Sequence, residues 1–373
     1  MNTKHYFLIL LGGMISVVSC KKDPIEFPHQ SVDNSLKVEL GRKIFFDKDL
    51  SSPTGQSCSS CHAPETGFSD LNHNAISPGA VDGLFGNRNA PSIAYVMFAP
   101  TFQYSVSDSG YFGGFFFDGR ANTLEEQAKK PFTNPLEMNN SDATMVIAKI
   151  RSAAYFPLYL KIYGDVDDID GAFSNIADAI SAFERSGEMN PFSSKFDYYL
   201  RGQVSLTAQE MSGMNLFIDT LKGKCANCHL ITPDDYSGKV LFTDHTFTND
   251  GVPKNPSNPF YALSSAFNPD GIAYIDKGLG GYLSDPAYDG LFKVPTLRNI
   301  ALSAPYFHNG SFNTLEDVVH FYNIRDLDST HIIFPAAEVA STIDHEETGR
   351  LNLTAQNEKD IVAFLKTLTD GYR

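Results

Sequence analysis

Two five-residue stretches share one pattern and decide how this sequence is read: Cys58-Ser59-Ser60-Cys61-His62 and Cys225-Ala226-Asn227-Cys228-His229. Each stretch separates two thiols by two residues and places a histidine directly after the second thiol. That spacing allows the cysteines to add to the two vinyl groups on one edge of a haem, while the histidine lies beneath the iron as proximal ligand. A single match is only moderately specific, but two in one chain predict two covalently attached c-type haems.

Other uses of four cysteines and two histidines are weaker. They could form a zinc site, although the paired pattern fits haem far better. A thioredoxin-type redox pair would need a βαβ pattern around the motif, and neither motif has one. Cysteines in an exported protein usually form disulfides, but the histidine after each pair favours haem attachment.

The start of the chain has the pattern of an export signal. Lys4 precedes the apolar run Tyr6 to Val18, which is too short to span a membrane permanently. Val17-Val18-Ser19-Cys20 is similar to a bacterial lipobox, in which Cys20 is lipidated and becomes the mature N-terminus. We therefore expect residues 1–20 to be a lipoprotein signal peptide and 21–35 a tether. The mature protein would lie in the periplasm, anchored to a bacterial membrane by its lipid.

The composition describes an acidic globular protein. The 373 residues are enough for two domains, and 42% hydrophobic and 20% charged residues are ordinary values. The formal net charge of −15 argues against nucleic-acid binding and is compatible with a basic protein partner. Acidity that simply keeps an exported protein soluble explains the charge equally well.

Helical patterns surround both motifs. Capping-box patterns at Thr123, Thr207 and Thr314 predict three helix starts. An apolar stripe at helical spacing precedes the first motif, another follows Thr207, and a third closes the chain. Helix, haem motif, loops and terminal helix is the arrangement of a small c-type cytochrome domain. We expect a mainly α protein of two cytochrome c-like domains, each around one covalently bound haem c. The predicted bounds are 36–195 and 196–373, with the last helix also able to pack on the first domain.

Six further runs resemble the bacterial dihaem cytochrome c peroxidases, a family that includes MauG, which matures methylamine dehydrogenase. The resemblance extends from about Leu40 to Leu368, in order and with both haem motifs in place. The runs are Asn87–Ser92, Phe117–Ala121, Leu124–Ala128, Asn134–Met138, Phe292–Asn299 and Ala304–Ser311.

The resemblance implies different roles for the two haems. His62 would be the proximal ligand of a peroxidatic haem in the first domain, and His229 that of an electron-transfer haem in the second. The implied enzyme is a cytochrome-c peroxidase that reduces hydrogen peroxide to water. Its electrons would come from a small periplasmic cytochrome c or cupredoxin. Dimers are common in the family, so a homodimer is a further expectation.

The resemblance also implies catalytic residues and a calcium ion. Glu137 falls on the family's catalytic glutamate and Gln127 on its distal glutamine. A distal carboxylate can move a proton from one peroxide oxygen to the other, as cleavage of the O–O bond requires. Asn89, with backbone carbonyls near Ser303 and Pro305, falls where the family holds calcium between the domains. Oxygen ligands are what Ca²⁺ requires.

Three departures separate this chain from the classical peroxidase. The family's inter-haem tryptophan would stand at Phe117, and the chain contains no Trp. Phenylalanine is very hard to oxidise, which leaves direct tunnelling or a route through tyrosines. The usual methionine ligand of the second haem falls on Tyr322, where MauG-type members also have tyrosine; His320 or water is the alternative ligand. The loop before Asn87 contains no histidine to block the first haem, so an open site is expected unless His73 fills it.

Two other functions remain open beside the peroxidase. Tyr322 favours a MauG-like dihaem oxidase that acts on a protein partner, while the absent tryptophan counts against it. A dihaem electron carrier without turnover is the third reading. Glu137 and Gln127 count against a carrier, which needs no distal acid–base residues.

Overall fold

The computed structural model describes residues 32–107, 109–234 and 237–373. The predicted signal peptide, the lipidation site Cys20 and most of the predicted tether lie outside these residues. The first described helix begins at Val32. This helix therefore includes residues 32–35, the last four residues of the predicted tether.

The structure is dominated by helices, as the sequence predicts. Between residues 32 and 373, apart from 108, 235 and 236, the chain forms eleven α-helices joined by long loops and short 3-10 turns. Their bounds are α1 Val32–Phe45, α2 Cys58–Cys61, α3 Leu124–Thr133, α4 Ala143–Ser152, α5 Phe156–Tyr163, α6 Ile169–Glu184, α7 Lys195–Leu200, α8 Ala208–Ile218, α9 Gly278–Leu283, α10 Leu315–Ile324 and α11 Ala355–Lys366.

Two small antiparallel sheets lie between the helical parts. Strand β1 (Gln103–Ser105) pairs with β2 (Gly110–Phe112), with Tyr104 opposite Tyr111. Strand β3 (Phe247–Thr248) pairs with β4 (Phe292–Lys293). A single bridge between Phe112 and Thr246 connects the two sheets, so the hairpin of the first half contacts the strands of the second.

Two large apolar cores account for most of the buried hydrophobic residues. The first is built by α1 and α3 to α6 and contains Leu40, Ile44 and Ile176. The second is built mainly by α8, α10 and α11 and contains Phe217, Phe321 and Phe364. The second core packs on Cys225 of the second haem motif, whereas Cys58 of the first motif packs on a smaller cluster that includes Phe45 and Phe68. The domain bounds at residues 195 and 196 stay a prediction.

Helix α11 packs against α8 within the second core. Contact with the first half comes from the residues after it, because the Asp370 carboxylate accepts a hydrogen bond of 2.7 Å from the Tyr95 hydroxyl. No helix in the described part of the chain is long and apolar enough to cross a membrane.

The three predicted helix starts are confirmed. Thr123, Thr207 and Thr314 are the N-caps of α3, α8 and α10, and each side chain accepts a hydrogen bond from the backbone N–H three residues later. Helix α8 then ends at Ile218, a few residues before Cys225. Local sequence patterns therefore position the second haem motif.

Candidate functional site

The first motif forms one turn of helix. Ser57 precedes α2 as its N-cap, and His62 follows it as C-cap. The Nδ1 atom of His62 lies 3.2 Å from the carbonyl oxygen of Phe68. A second carbonyl, that of Pro91, also contacts the ring, and burial lowers the pKa of His62. A buried, neutral imidazole held through Nδ1 leaves Nε2 for a metal ion, as is usual for metal-bound histidine.

The second motif repeats this arrangement with different residues. Cys225 to Asn227 form a 3-10 turn, and Nδ1 of His229 lies 2.9 Å from the carbonyl oxygen of Phe242. The carbonyl of Pro295 is the second contact, and burial lowers the pKa of His229 to about 4. Pro91 and Pro295 both lie in runs that resemble the dihaem family. Each histidine is therefore held by one carbonyl from its own loop and one from such a run.

The residues of both motifs fit covalently bound haem. None of the four cysteines of these motifs forms a disulfide. Among the described residues, no group of three or more Cys, His, Asp or Glu side chains converges as a metal-binding cluster. The thiols and imidazoles thus lie as two separate sets, each suited to one porphyrin edge and one iron.

Glu137 lies close to the first motif. Its backbone carbonyl accepts a hydrogen bond of 2.7 Å from the N–H of Ala80, which fixes the loop after α3. The carboxylate is half-buried, and its charge raises the pKa of both Cys58 and Cys61. Burial raises the pKa of Glu137 itself, against the opposing influence of the Arg120 charge. This carboxyl group therefore holds a proton more readily than a surface glutamate does.

Gln127 lies half-buried on α3, one residue before the buried Ala128. Its backbone N–H donates to the carbonyl of Thr123 in the first turn of the helix. The role of its side chain at the first haem stays a prediction.

Tyr322 lies beside the second motif, on α10. Its hydroxyl group donates a hydrogen bond of 3.2 Å to Oδ2 of Asp250. Burial and the nearby charges of Asp250, Cys228 and Cys225 raise its pKa well above the usual value. His320, the alternative ligand, is bound instead to Glu358 at 3.0 Å and is 43% exposed. Tyr322 therefore lies beside the second motif while His320 is engaged by Glu358, and the ligand of the second haem stays a prediction.

The loops named for calcium meet one another. The backbone N–H of Asn89 donates to the carbonyl of His308 at 2.7 Å, and its side-chain amide donates to the carbonyl of Ala75 at 3.0 Å. His73 is exposed, and its Nδ1 lies 2.9 Å from the carbonyl oxygen of Ala304, the residue between Ser303 and Pro305. Occupation of the site by calcium stays a prediction. Whether His73 blocks the first haem also stays a prediction.

A chain of charges that the sequence did not reveal connects the first site to the second half. Arg120, which acts on Glu137, pairs with Asp118 at 2.8 Å. Asp118 also pairs with Arg88 at 2.7 Å, and Arg88 in turn pairs with Asp276 at 2.7 Å. Coulombic attraction to Arg88 lowers the pKa of the buried Asp276 to about 2. Arg88 and Asp118 lie in recognisable runs, but Asp276 belongs to no motif, so only the fold could identify it.

Asp250, the partner of Tyr322, is a second residue that sequence reasoning missed. Burial raises its pKa to about 6. It stands in the run Asn249-Asp250-Gly251, which reads as an ordinary turn. The pairing joins residues 72 positions apart, which local patterns cannot show.

The fold and these two motifs define a class: helical proteins that attach two c-type haems. A family model described as di-haem cytochrome c peroxidase matches residues 35–205. The chain is 34% identical to the methylamine utilization protein MauG of Paracoccus denitrificans over 356 residues, 91% of this chain and 89% of that protein. It therefore belongs to the dihaem cytochrome c peroxidase and MauG family, and the family implies two haems.

Other relatives carry both functional names of the family. The cytochrome c peroxidase Ccp of Escherichia coli is 33% identical over 304 residues, 80% of this chain and 56% of that protein. The crystal structure of the diheme peroxidase BthA from Burkholderia thailandensis matches with a TM-score of 0.79 and 32% identity. That match covers 90% of this chain and 86% of the BthA chain. The resemblance predicted from the sequence is thereby confirmed at the level of the family.

Proposed function

We propose that this protein is a cytochrome-c peroxidase that reduces hydrogen peroxide to water. The first of its two cytochrome c-like domains would react with peroxide at the haem of His62. The second would receive electrons at the haem of His229 from a small periplasmic cytochrome c or cupredoxin. The observation that carries the proposal is the half-buried Glu137 beside Cys58 and Cys61, with its raised pKa.

The protein side of the reaction is proton transfer and positioning. Haem held by the two motifs would supply the redox chemistry, an iron that can react with peroxide and the electrons for cleavage of the O–O bond. Glu137 accepts a proton from one peroxide oxygen and returns it to the other, which leaves as water. A carboxyl group whose pKa is raised by burial performs both steps better than an ordinary glutamate. Gln127 is proposed to hold peroxide in place by hydrogen bonding.

The test mixes the haem-loaded protein with hydrogen peroxide, with and without reduced cytochrome c. Rapid oxidation of the cytochrome is expected for the wild type. Glu137→Gln keeps the shape of the side chain but removes the acid. We expect it to slow cytochrome oxidation by about 10²–10⁴-fold, the usual contribution of general acid–base catalysis.

Glu65→Gln is the matched control, because Glu65 is an exposed carboxylate three residues after His62. Its rate should equal that of the wild type. An undiminished rate in Glu137→Gln contradicts the role of Glu137. No reaction with peroxide in the wild type leaves the electron carrier as the function.

Tyr322 supports a second candidate, a MauG-like oxidase that acts on a protein partner. A tyrosine oxygen at the second iron stabilises oxidised states relative to methionine. In that case peroxide should produce a long-lived oxidised spectrum with little turnover of cytochrome c. Tyr322→Phe removes the oxygen and should change the resting optical and electron paramagnetic resonance spectra of the His229 haem. An unchanged spectrum would exclude Tyr322 as its ligand.

The remaining expectations from the sequence complete the proposal. Calcium would lie between the Asn89 loop and the Ser303–Pro305 loop, which supply oxygen ligands; metal analysis of the purified protein checks this. The protein would be exported to the periplasm, lipidated at Cys20 and anchored to a membrane. A homodimer and a basic protein donor are the proposed assemblies, and nucleic acid is not a partner.

A further inference from the structure

Four tyrosines form a contiguous surface patch around the β1–β2 hairpin: Tyr104, Tyr111, Tyr282 and Tyr288. We refer to them as the hairpin tyrosine cluster. The ring centroids of Tyr104 and Tyr111 are 4.9 Å apart, and those of Tyr111 and Tyr288 are 5.2 Å apart. Tyr104 is 46% exposed and Tyr282 43% exposed. The cluster therefore contacts water directly.

The cluster continues inwards through two phenylalanines. Phe102 stacks on Tyr111 with centroids 5.1 Å apart and rings parallel to within 1°. It also contacts Tyr282 at 5.6 Å and Phe247 at 5.9 Å. Both phenylalanine rings pack on the backbone of Gly119, two residues after Phe117. Aromatic contact thus extends from the surface to the segment where the family has its inter-haem tryptophan.

The inner end of this aromatic column belongs to the chain segment that contacts the second haem motif. Phe247 is in β3, five residues after Phe242, whose carbonyl oxygen accepts the hydrogen bond from His229. Its partner strand β4 is bound to Phe117, because the backbone N–H of Lys293 donates to the Phe117 carbonyl at 2.8 Å. Two short strands therefore join the aromatic column to Phe117 and to the segment that holds His229.

We propose that the hairpin tyrosine cluster is a sink for oxidising equivalents when peroxide reacts without an electron donor. The inference rests on the proposed reaction with peroxide. Hydrogen peroxide takes up two electrons, and two tyrosines supply one electron each through the column and release one proton each to water. The balance is H₂O₂ + 2 Tyr–OH → 2 H₂O + 2 Tyr–O•. Two neighbouring radicals then couple through a new carbon–carbon bond and become dityrosine.

Chemistry selects these tyrosines over the other aromatic residues of the column. Phenylalanine is too hard to oxidise to hold the radical, and the chain has no tryptophan. A tyrosine loses its electron together with its phenolic proton, and exposed hydroxyl groups can pass that proton to water. Tyr104 and Tyr111 are also cross-strand partners, so their coupling joins two strands that are already paired.

The experiment uses the full-length haem-loaded protein with hydrogen peroxide and no donor. Electron paramagnetic resonance detects tyrosyl radicals, dityrosine fluorescence follows coupling, and peptide mapping by mass spectrometry locates the cross-link. The test variant is Tyr104→Phe/Tyr111→Phe, which keeps both rings and their packing. The control is Tyr198→Phe/Tyr372→Phe, a pair elsewhere whose centroids are 5.6 Å apart.

In the wild type and the control, we expect a cross-link between Tyr104 and Tyr111. The test variant should lose this cross-link and most of the fluorescence, and its haems should bleach sooner. Two results would overturn the inference in a protein that still consumes peroxide. One is equal radical signal and equal haem bleaching in all three proteins, and the other is oxidation mapped to other residues of the wild type. If the wild type consumes no peroxide, the proposed function fails as well.

Discussion

At the scale of single residues, Glu184 is a buried carboxyl group that the proposed reaction does not use. It ends α6 with 4% of its surface exposed, and its Oε2 atom has no hydrogen-bond partner among the described residues. Burial, helped by the charge of Glu125, raises its pKa to about 8. The folded protein therefore holds a proton at neutral pH that an unfolded chain releases.

This proton makes stability depend on pH. The ordinary pKa of a glutamate is 4.5, and in the folded protein that of Glu184 is about 8. The contribution of Glu184 to the free energy of unfolding therefore decreases as the pH rises from 4.5 to 8. A shift of this size corresponds to about 5 kcal/mol, fully lost above pH 8. We predict that Glu184→Gln flattens the decline between pH 5 and pH 8. Urea unfolding of the haem-loaded protein at both pH values measures it.

Glu188→Gln is the control, since Glu188 is an exposed partner of Arg42 on the surface. The control should keep the pH dependence of the wild type. A wild-type midpoint that does not move between the two pH values would show that Glu184 is not protonated in the folded state.

At the scale of secondary structure, both halves use a glycine to bring two helices into backbone contact. Gly41 on α1 lies against α6, where a methyl group would come 1.8 Å from the carbonyl oxygen of Ala179. Gly213 on α8 lies against α11, where a methyl group would come 1.9 Å from the carbonyl oxygen of Asp360. Each of these helices precedes a haem motif, so its position determines where the motif lies.

We predict that Gly41→Ala and Gly213→Ala each lower the free energy of unfolding by about 3 kcal/mol, because the helices must move apart. The displaced helix should also change the visible circular dichroism of the nearer haem. Gly187→Ala is the control, since a methyl group there meets no atom within 4 Å. If either variant has the same free energy of unfolding as Gly187→Ala, the close contact of the two helices does not stabilise the fold.

The elements also show which parts of the fold the sequence can predict. The caps at Thr123, Thr207 and Thr314 and the apolar stripes were predictable because their signals lie within a few residues of one another. Strands β3 and β4 were not, because each has two residues and they pair across more than 40 positions. Their pairing depends on packing around the second motif, which no local pattern encodes.

The candidate site divides in the same way. Both haem motifs were evident from spacing alone, while the position assigned to Glu137 came from a resemblance. The hydrogen bond between Tyr322 and Asp250, and the ion pair between Arg88 and Asp276, join residues far apart in the sequence. Both interactions are strengthened by burial of the residues involved, and burial depends on the folded chain rather than on local sequence.

At the scale of the whole molecule, Arg88 links the two halves of the chain through buried ion pairs. Its guanidinium group donates to both oxygens of Asp276, at 2.7 and 2.8 Å, and to Asp118 at 2.7 Å. The three side chains are all at least 85% buried. Asp118 has a second partner in Arg120, while Asp276 depends on Arg88 for its compensating charge.

We therefore predict that Arg88→Met costs about 3 kcal/mol of stability at pH 7, since it leaves Asp276 buried without its cation. The pKa of Asp276 is about 2 in the folded wild type, below its ordinary 3.8, so its contribution is present above pH 4 and is lost as pH falls towards 2. The difference in the free energy of unfolding between the wild type and Arg88→Met should narrow over that range.

The double variant Arg88→Met/Asp276→Leu should recover much of the lost stability, because no charge is left unpaired. Arg42→Met, which removes an exposed ion pair, should change stability by less than about 1 kcal/mol. Denaturant unfolding of the four proteins measures these differences, and a double variant no more stable than Arg88→Met would place the coupling between the halves elsewhere.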